Sequence, residues 1–373
     1  MENIAIFKES ILGASERFVL DQAIHIRGYK VTLIGMKKLP FINLAGVTHK
    51  TIDQVTKWQI VAYKLLGICP ALKRLIRGIN PKLIHIHMGG DGARFSRLKG
   101  IRVPFIVTFH GTDASTSDSW KRNSKNLYLK QYLRYRENLI NTASHFIAIS
   151  YFVKKCMVNQ GYPKEKITVH YMGIDTKFFT PKKCIRKKYV LFVGRLIEVK
   201  GCSYLIHAMA KVQQYLPEAE LIVIGDGDDR KGLQDISTRL NVKTSFLGVL
   251  DRVQIKEYLN EVSVFCVPSI MAKTGGSEGL GIVFLEAQSM GTPVVSTLSG
   301  GISEAVKNGE TGLLYPVKDI QGLAYGIFTL LTDDLLWDKM SVSAMKHVRE
   351  TFDIEKQTIK LESIYSKIIE KNL

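Results

Sequence analysis

Glu278 and Glu286 stand eight positions apart in the stretch GGSEGLGIVFLEAQSMGTPVVST, residues 275–297. Glu278 falls in a loop; Glu286 falls about two turns into the apolar helix LGIVFLEAQSMG that follows, closed by Gly291 with Pro293 just beyond. Gly279 and Gly281 carry no Cβ, so a ligand can come close to their backbone amides. A helix start with free N–H groups accepts an anion. A carboxylate cannot pair with that anion, so the glutamates call for hydroxyl groups, as on sugars and riboses. The plainer alternative is that Glu278 complements the helix dipole and Glu286 is a surface residue.

Arg195 and Lys200, in FVGRLIEVKG, follow a strand and precede a helix. A planar fork and a compact point charge at a strand's carboxyl end suit a leaving diphosphate, or else are two solvated charges. His110, with Gly111 and Asp113 in FIVTFHGTD, stands just past another strand end, either facing a ligand crevice or as a buried structural histidine. His85 and His87 of LIHIH read as strand residues. Gly13 and Ser15 of LGASERF lie after the first strand, at the same crevice or as an ordinary helix start. IGDGDDR, residues 224–230, mimics a carboxylate metal motif and half of a dinucleotide fingerprint. Its third glycine is missing, and a strand-to-helix turn accounts for Gly225 and Gly227. No metal site is expected.

Short Val, Ile and Phe runs alternate with helix-length segments and supply the elements that hold these residues. NIAIF, KVTLIG, LIHIH, PFIVTF, HFIAIS and ITVHY form one series; YVLFVG, ELIVIG, TSFLG, VSVFCVPS, PVVST and GLLYP form a second. Continuous apolar strands separated by helices imply parallel sheets covered on both faces, with ligands at the strands' carboxyl ends. The basic stretch MGIDTKFFTPKKCIRKK between the series reads as a linker. The expected domains are therefore 1–183 and 184–353, with a helix at 354–373 packing back on the first.

The 373 residues give material for two cores and no apolar run long enough for a transmembrane helix. The first residues read as a strand rather than a signal peptide. Five cysteines without knuckle or CxxC spacing read as buried, reduced thiols of a cytosolic protein. Residues 1–183 carry 30 Lys and Arg against 11 Asp and Glu, a net of +19; residues 184–373 carry 22 against 23, a net of −1. The whole positive excess lies in the first half and attracts phosphate-bearing partners: nucleic acid, an anionic membrane or an acidic substrate.

Taken in order, FVGRLIEVKG, IGDGDDR, FLG, PS, SEGLGIVFLEAQSMGTPVVST and GGISEAVKNGETGLL resemble glycosyltransferase family 4, over nearly the whole chain and most strongly from Tyr189 to Pro316. The resemblance implies a GT-B fold, two Rossmann-like doubly wound domains facing a central cleft, and retaining transfer from a nucleotide sugar, UDP-linked foremost, with no metal or other cofactor. It implies that Glu286 binds ribose hydroxyls and Glu278 hydroxyls of the donor sugar. Arg195 and Lys200 would bind the diphosphate, amides around Gly281, Ile282 and Val283 would cradle the distal phosphate, and His110 would contact the transferred sugar. Gly13 would lie near donor phosphate or acceptor, with the base near Leu247, Val249 and Leu250.

SERFVLDQ is similar to exopolysaccharide and colanic-acid-type members, departing at Arg17; HYMGID departs at Met172, and neither departure is expected to touch the donor residues. The N-terminal domain would take a glycan or lipid-linked acceptor of surface polysaccharide or lipopolysaccharide synthesis. The basic amphipathic stretch with Lys73, Arg74 and Arg77 would lie on an anionic membrane at the cytoplasmic face. A same-fold phosphorylase or sugar-nucleotide epimerase is one alternative. A basic nucleic-acid-binding protein is another, but it lacks any helix-turn-helix, RNA-recognition or zinc motif and leaves the glutamates unexplained.

Overall fold

The computed structural model describes residues 1–11, 16–39, 43–44, 46–52 and 56–372. The chain divides into two compact units, Met1–Gly173 with Ile354–Leu373, and Ile174–Asp353. All strand pairings are parallel among the described residues.

In the first unit the strands β1 (Asn3–Phe7), β3 (Lys30–Gly35), β5 (Thr48–Thr51), β6 (Leu83–His87), β7 (Phe105–Phe109), β8 (His145–Ala148) and β9 (Ile167–Val169) form one sheet in the order β5-β3-β1-β6-β7-β8-β9. The two-residue strands β2 (Ser10–Ile11) and β4 (Lys37–Lys38) pair separately. β6 and β7 are buried at every position, as their unbroken apolar runs require. β5, THKT, is mostly exposed and has no apolar run by which the sequence could announce it. The helix Ile354–Lys371 supplies Leu361, Tyr365, Ile368 and Ile369 to the same core as Ile4, Ile6, Leu20 and Leu83. Glu362 Oε1 accepts the backbone N–H groups of Arg27 at 2.6 Å and Gly28 at 2.8 Å, which ties that helix to the turn before β3.

The second unit holds β10 (Lys187–Val193), β11 (Glu220–Ile224), β12 (Thr244–Gly248), β13 (Val262–Cys266), β14 (Val294–Thr297) and β15 (Gly312–Tyr315), ordered β12-β11-β10-β13-β14-β15. In both sheets the strand order reverses beside the first strand, at β1/β6 and at β10/β13. Such a reversal opens a crevice at the carboxyl ends, because connections on its two sides leave toward opposite faces.

The boundary between the units falls at Gly173/Ile174, where the sequence reading placed it at 183/184. Residues after Gly173 are not a free linker. Ile174 donates its N–H to Phe352 O at 2.9 Å, Phe179 is fully buried, and the Arg252 guanidinium lies over the Phe178 ring at 4.2 Å. The cysteines also depart in part from the expected burial. All five are free, but only Cys69, Cys202 and Cys266 are buried; Cys156 is half-buried, and Cys184 is exposed on the edge of the second unit. No helix among the described residues is long and apolar enough to cross a membrane.

Candidate active site

The crevice at β10/β13 is built from two loops. After β10 the chain passes Gly194, Arg195 and a short 3-10 turn, Glu198–Lys200, then enters the helix Cys202–Tyr215. After β13 it runs through Ser269 and Glu278 into the helix Ile282–Ser289. The loops are joined where Lys200 Nζ meets Glu278 Oε2 at 2.5 Å, both side chains about 85% removed from solvent, at 15% and 14% exposure. Ser269 Oγ also approaches that carboxylate oxygen, at 3.5 Å. Two residues expected to serve different parts of a ligand are therefore each other's partner. Arg195, by contrast, is exposed and its guanidinium has no partner among the described residues.

Glycines set this geometry through backbone approach. Gly225 has φ +132°, and a Cβ there would stand 1.9 Å from Gly194 O, so the loop after β11 presses directly on the loop that carries Arg195. Gly300 has φ +59°, and a Cβ would stand 2.1 Å from Glu278 O, the same carbonyl that accepts the Gly301 N–H at 2.9 Å. The backbone that presents Glu278 is thus held from the loop after β14. This contact joins residues more than twenty positions apart, and the sequence offers no spacing rule that would find it.

The second helix begins at Ile282, later than the apolar run from Leu280 suggested, because Gly281 sits in the left-handed region with φ +84° and ψ +77°. Glu286 therefore lies about one turn into the helix, not two. Gly281 gives no side-chain cap, and the first turn holds no acidic residue, so the backbone amides at Ile282 and Val283 meet no competing side-chain oxygen of this helix. Leu247, one residue before the end of β12, is half-buried, with Val249 exposed and Leu250 half-buried beyond the strand. Asp226 pairs with Arg230 at 3.4 Å, and no cluster of three His, Cys, Asp or Glu fit to hold a metal occurs among the described residues.

His110 sits in the first unit, past the end of β7. Asp113 organises its loop: one carboxylate oxygen accepts the N–H groups of His110 at 3.0 Å, Gly111 at 2.9 Å and Ala114 at 3.1 Å, and the other accepts Gly89 N–H at 3.0 Å. Burial pushes the Asp113 carboxyl up from its ordinary value, against the N–H groups of Gly89, His110 and Gly111 and the Lys121 charge, which favour the carboxylate. The His110 ring packs on Phe18 with centroids 4.8 Å apart, and its Nε2 lies 3.0 Å from His87 Nδ1. Burial, reinforced for both by neighbouring His and Lys charges, holds the two imidazoles well below the ordinary histidine value, so both rings are neutral at pH 7. His87 was read only as a strand residue. The period-2 pattern of β6 does place it on one face, but pairing with His110 depends on the β6/β7 register, which the sequence does not state. Met172 lines the same recess as His110, so this departure from the family pattern lies beside a candidate site residue rather than away from the site. Gly13 and Ser15 lie outside the described residues.

Lys73, Arg74 and Arg77 lie on the helix Pro70–Ile79, whose Leu72, Ile76 and Ile79 are buried; Arg74 and Arg77 are exposed and Lys73 is half-buried. The preceding helix, Lys57–Leu66, is built the other way. Tyr63 is buried, while Trp58 at 81% and Leu66 at 63% exposure, with Val61, Leu65 and the following Ile68, turn outward. The basic amphipathic stretch that carries Lys73, Arg74 and Arg77, residues 63–82, is thus divided between two helices of opposite sense.

Two doubly wound parallel α/β units in one chain, each reversing strand order beside its first strand, define the class: this is a GT-B fold. Residues 174–347 match the family model of glycosyl transferases group 1, and residues 19–178 match that of glycosyltransferase family 4. The chain belongs to these glycosyltransferases and is an enzyme of that kind. Among its relatives, the amylovoran biosynthesis glycosyltransferase AmsK of Erwinia amylovora is 28% identical over 359 residues, covering 83% of this chain and 86% of AmsK. WcaL of Escherichia coli K12, assigned to colanic acid biosynthesis, is 28% identical over 340 residues, 85% of this chain and 80% of WcaL. The crystal structure of Anabaena HepE in complex with UDP and glucose superposes with a TM-score of 0.81 at 22% identity, covering 98% of this chain and 100% of HepE.

Proposed function

We propose that this protein is a retaining glycosyltransferase that moves a sugar from a nucleoside-diphosphate sugar, a UDP-sugar foremost, to a hydroxyl of a glycan or lipid-linked oligosaccharide in bacterial surface polysaccharide synthesis. The observation that carries the reading is the Lys200–Glu278 pair at the β10/β13 reversal, beside an Arg195 guanidinium with no partner among the described residues and a helix start without a side-chain cap. Arg195 and Lys200 bind the diphosphate, and the amides of Gly281, Ile282 and Val283 take its distal phosphate. Glu278, released from Lys200 as phosphate arrives, holds donor-sugar hydroxyls near the reacting carbon. Glu286 binds the ribose, and backbone at Leu247, Val249 and Leu250 takes the base. His110 meets a hydroxyl of the transferred sugar, and Gly13 and Ser15 belong to the donor or acceptor loop.

These residues supply electrostatic stabilisation of a leaving diphosphate and of an oxocarbenium-like sugar, and no metal or cofactor is assigned a part. The reaction is a front-face displacement in which donor phosphate assists deprotonation of the acceptor hydroxyl. Trapping of a covalent glycosyl–enzyme adduct would overturn that step. The assignment of AmsK to amylovoran biosynthesis and of WcaL to colanic acid biosynthesis, and UDP with glucose on HepE, support the choice of pathway class and donor. The enzyme works in the cytoplasm at the inner face of the cell membrane, with its basic first half, Lys73, Arg74 and Arg77 included, toward anionic lipid.

The test is thermal stabilisation by UDP, GDP, ADP and their sugars, with and without Arg195→Ala. A ligand at 100 times its Kd adds about 2.7 kcal/mol. One nucleotide is expected to raise Tm by several degrees and to lose that effect in the variant. No shift with any of them would sink the donor reading.

A further inference from the structure

His87 and His110 leave a chemical remainder that the donor site does not use. His87 is 1% exposed, in the middle of the first sheet. Its Nδ1 and the Nε2 of His110 share one hydrogen bond of 3.0 Å. The other nitrogens of both rings, His87 Nε2 and His110 Nδ1, are buried atoms with no partner among the described residues, and Gln22 Oε1 is a third. All three residues line one small recess, with Phe18, His170 and Met172 among its other walls. Every residue lining it belongs to the first unit. Neighbouring histidines are settled otherwise: His85 is bonded at both nitrogens, to Tyr365 OH and Thr108 Oγ1 at 2.6 Å each, and His170 Nε2 donates to Gln357 O at 2.8 Å.

The shared bond couples the two rings. A neutral imidazole has one N–H and one lone pair. If His87 Nδ1 donates, its Nε2 is an acceptor, and His110, accepting at Nε2, carries its proton on Nδ1. If His110 Nε2 donates, the roles invert. In either arrangement both rings carry the proton on the same-named nitrogen, and the pair offers one outer donor and one outer acceptor. Gln22 Oε1 adds a second acceptor. An anion brings only acceptors and would leave a buried lone pair and the Gln22 oxygen unpaired, at a cost of about 1–3 kcal/mol each. A hydroxyl both donates and accepts: it takes the outer N–H and gives its proton to one of the two acceptors, which leaves the other for a neighbouring hydroxyl or a water.

We propose that His87 is a positioning residue for His110: the ring-to-ring hydrogen bond ties the tautomer of His110 to that of His87, so that the pair and Gln22 form a subsite for a sugar hydroxyl. This rests on the reading that His110 meets the transferred sugar. His87 itself acts through His110 and takes no part in bond making.

The test uses the full chain labelled with 15N-histidine. Ring nitrogen shifts of the wild type are expected to show His87 and His110 in the same-named tautomer, and to move when UDP-glucose is added. His87→Phe is expected to leave His110 sampling both tautomers and to lower kcat for the donor the thermal screen selects by at least about tenfold, with UDP affinity unchanged. His87→Asn, whose amide reaches the position of the lost Nδ1, is expected to restore a single tautomer and most of the activity. Opposite-named tautomers in the wild type overturn the proposal whether or not either variant folds. So does movement of neither ring with UDP-glucose while UDP binds, which is the signature of water alone in the recess. Full activity in His110→Ala would instead remove the reading of His110. Loss in His110→Ala with normal kcat in His87→Phe would remove only the positioning role.

Discussion

The two sheets of this chain reverse strand order at equivalent places and fill those places in opposite ways. At β1/β6, Lys8, Lys64 and Arg94 meet Glu9, Glu16 and Asp91. Lys8 Nζ lies 2.8 Å from Glu16 and 3.6 Å from Asp91, Lys64 lies 3.1 Å from Glu9, and Arg94 pairs with the other Glu9 oxygen. Tyr128 OH donates to Asp91 at 2.9 Å and the Glu9 N–H at 3.0 Å. Burial works to lower the Lys8 ammonium, but Asp91 and Glu16 outweigh it and hold it above the ordinary lysine value. At β10/β13 there is one ion pair, one guanidinium without a partner among the described residues and one uncapped helix start. Topology makes both crevices. What differs is the charge left over: among the described residues the half of the chain that holds the +19 excess pairs the cations of its own crevice, and the half with −1 leaves the Arg195 guanidinium without a partner, as the proposed diphosphate site requires.

The largest effect should come from breaking the second crevice. Glu278→Ala is expected to lower kcat by about 100- to 1,000-fold or more, with hydrogen exchange of β10 and β13 unchanged. Transfer within a few-fold of wild type would take the carboxylate out of the chemistry and reduce the Lys200 pair to a structural contact.

Breaking the first crevice should cost stability instead. Asp91 is 4% exposed and holds Lys8, Tyr128 and the Glu9 amide. Asp91→Ala leaves those donors short of an acceptor, and removing one side of a buried pair costs about 3–5 kcal/mol. Urea unfolding followed by hydrogen exchange should localise the loss to residues 1–173 and 354–373, with UDP affinity retained. Asp91→Asn keeps two acceptor contacts and should lose less. A loss below about 1 kcal/mol in the Ala variant, or a fall in UDP affinity equal to that of Arg195→Ala, would erase the contrast between the two places.

The sequence exposed what runs along the chain and hid what runs across it. The apolar runs at β1, β6, β10, β11 and β13 are legible because strands buried on both faces need no polar alternation. Glu278, Arg195 and Lys200 are legible because they sit at strand ends and helix starts. The Lys200–Glu278 bond, the hold of Gly300 on the Glu278 carbonyl and the His87–His110 bond are not. Each joins residues from different strand connections, fixed only when strands take their register. Nor does composition tell an inward helix face from an outward one: Leu65 and Leu66 are exposed, whereas Leu72 and Ile76, on the next helix, are buried.

That last contrast frames the smallest expected effect. If the first unit meets anionic lipid through the helix Pro70–Ile79, its apolar residues cannot enter the bilayer, because Leu72, Ile76 and Ile79 are already in the core. Its contribution is then electrostatic, about 1 kcal/mol for each Lys or Arg near an anionic surface. Lys73→Ala, Arg74→Ala and Arg77→Ala together should weaken co-sedimentation with phosphatidylserine vesicles by at most roughly 100-fold at low salt. At 0.5 M salt the difference should shrink, since screening shortens the reach of exposed charges. Trp58→Ser with Leu66→Ser should act differently, because these side chains are apolar and already face outward: binding falls at both salt concentrations. Vesicle binding insensitive to all five changes would leave the membrane face elsewhere on the protein. Loss in the Trp58 and Leu66 variant alone would move it from the helix with Arg74 to the one before it.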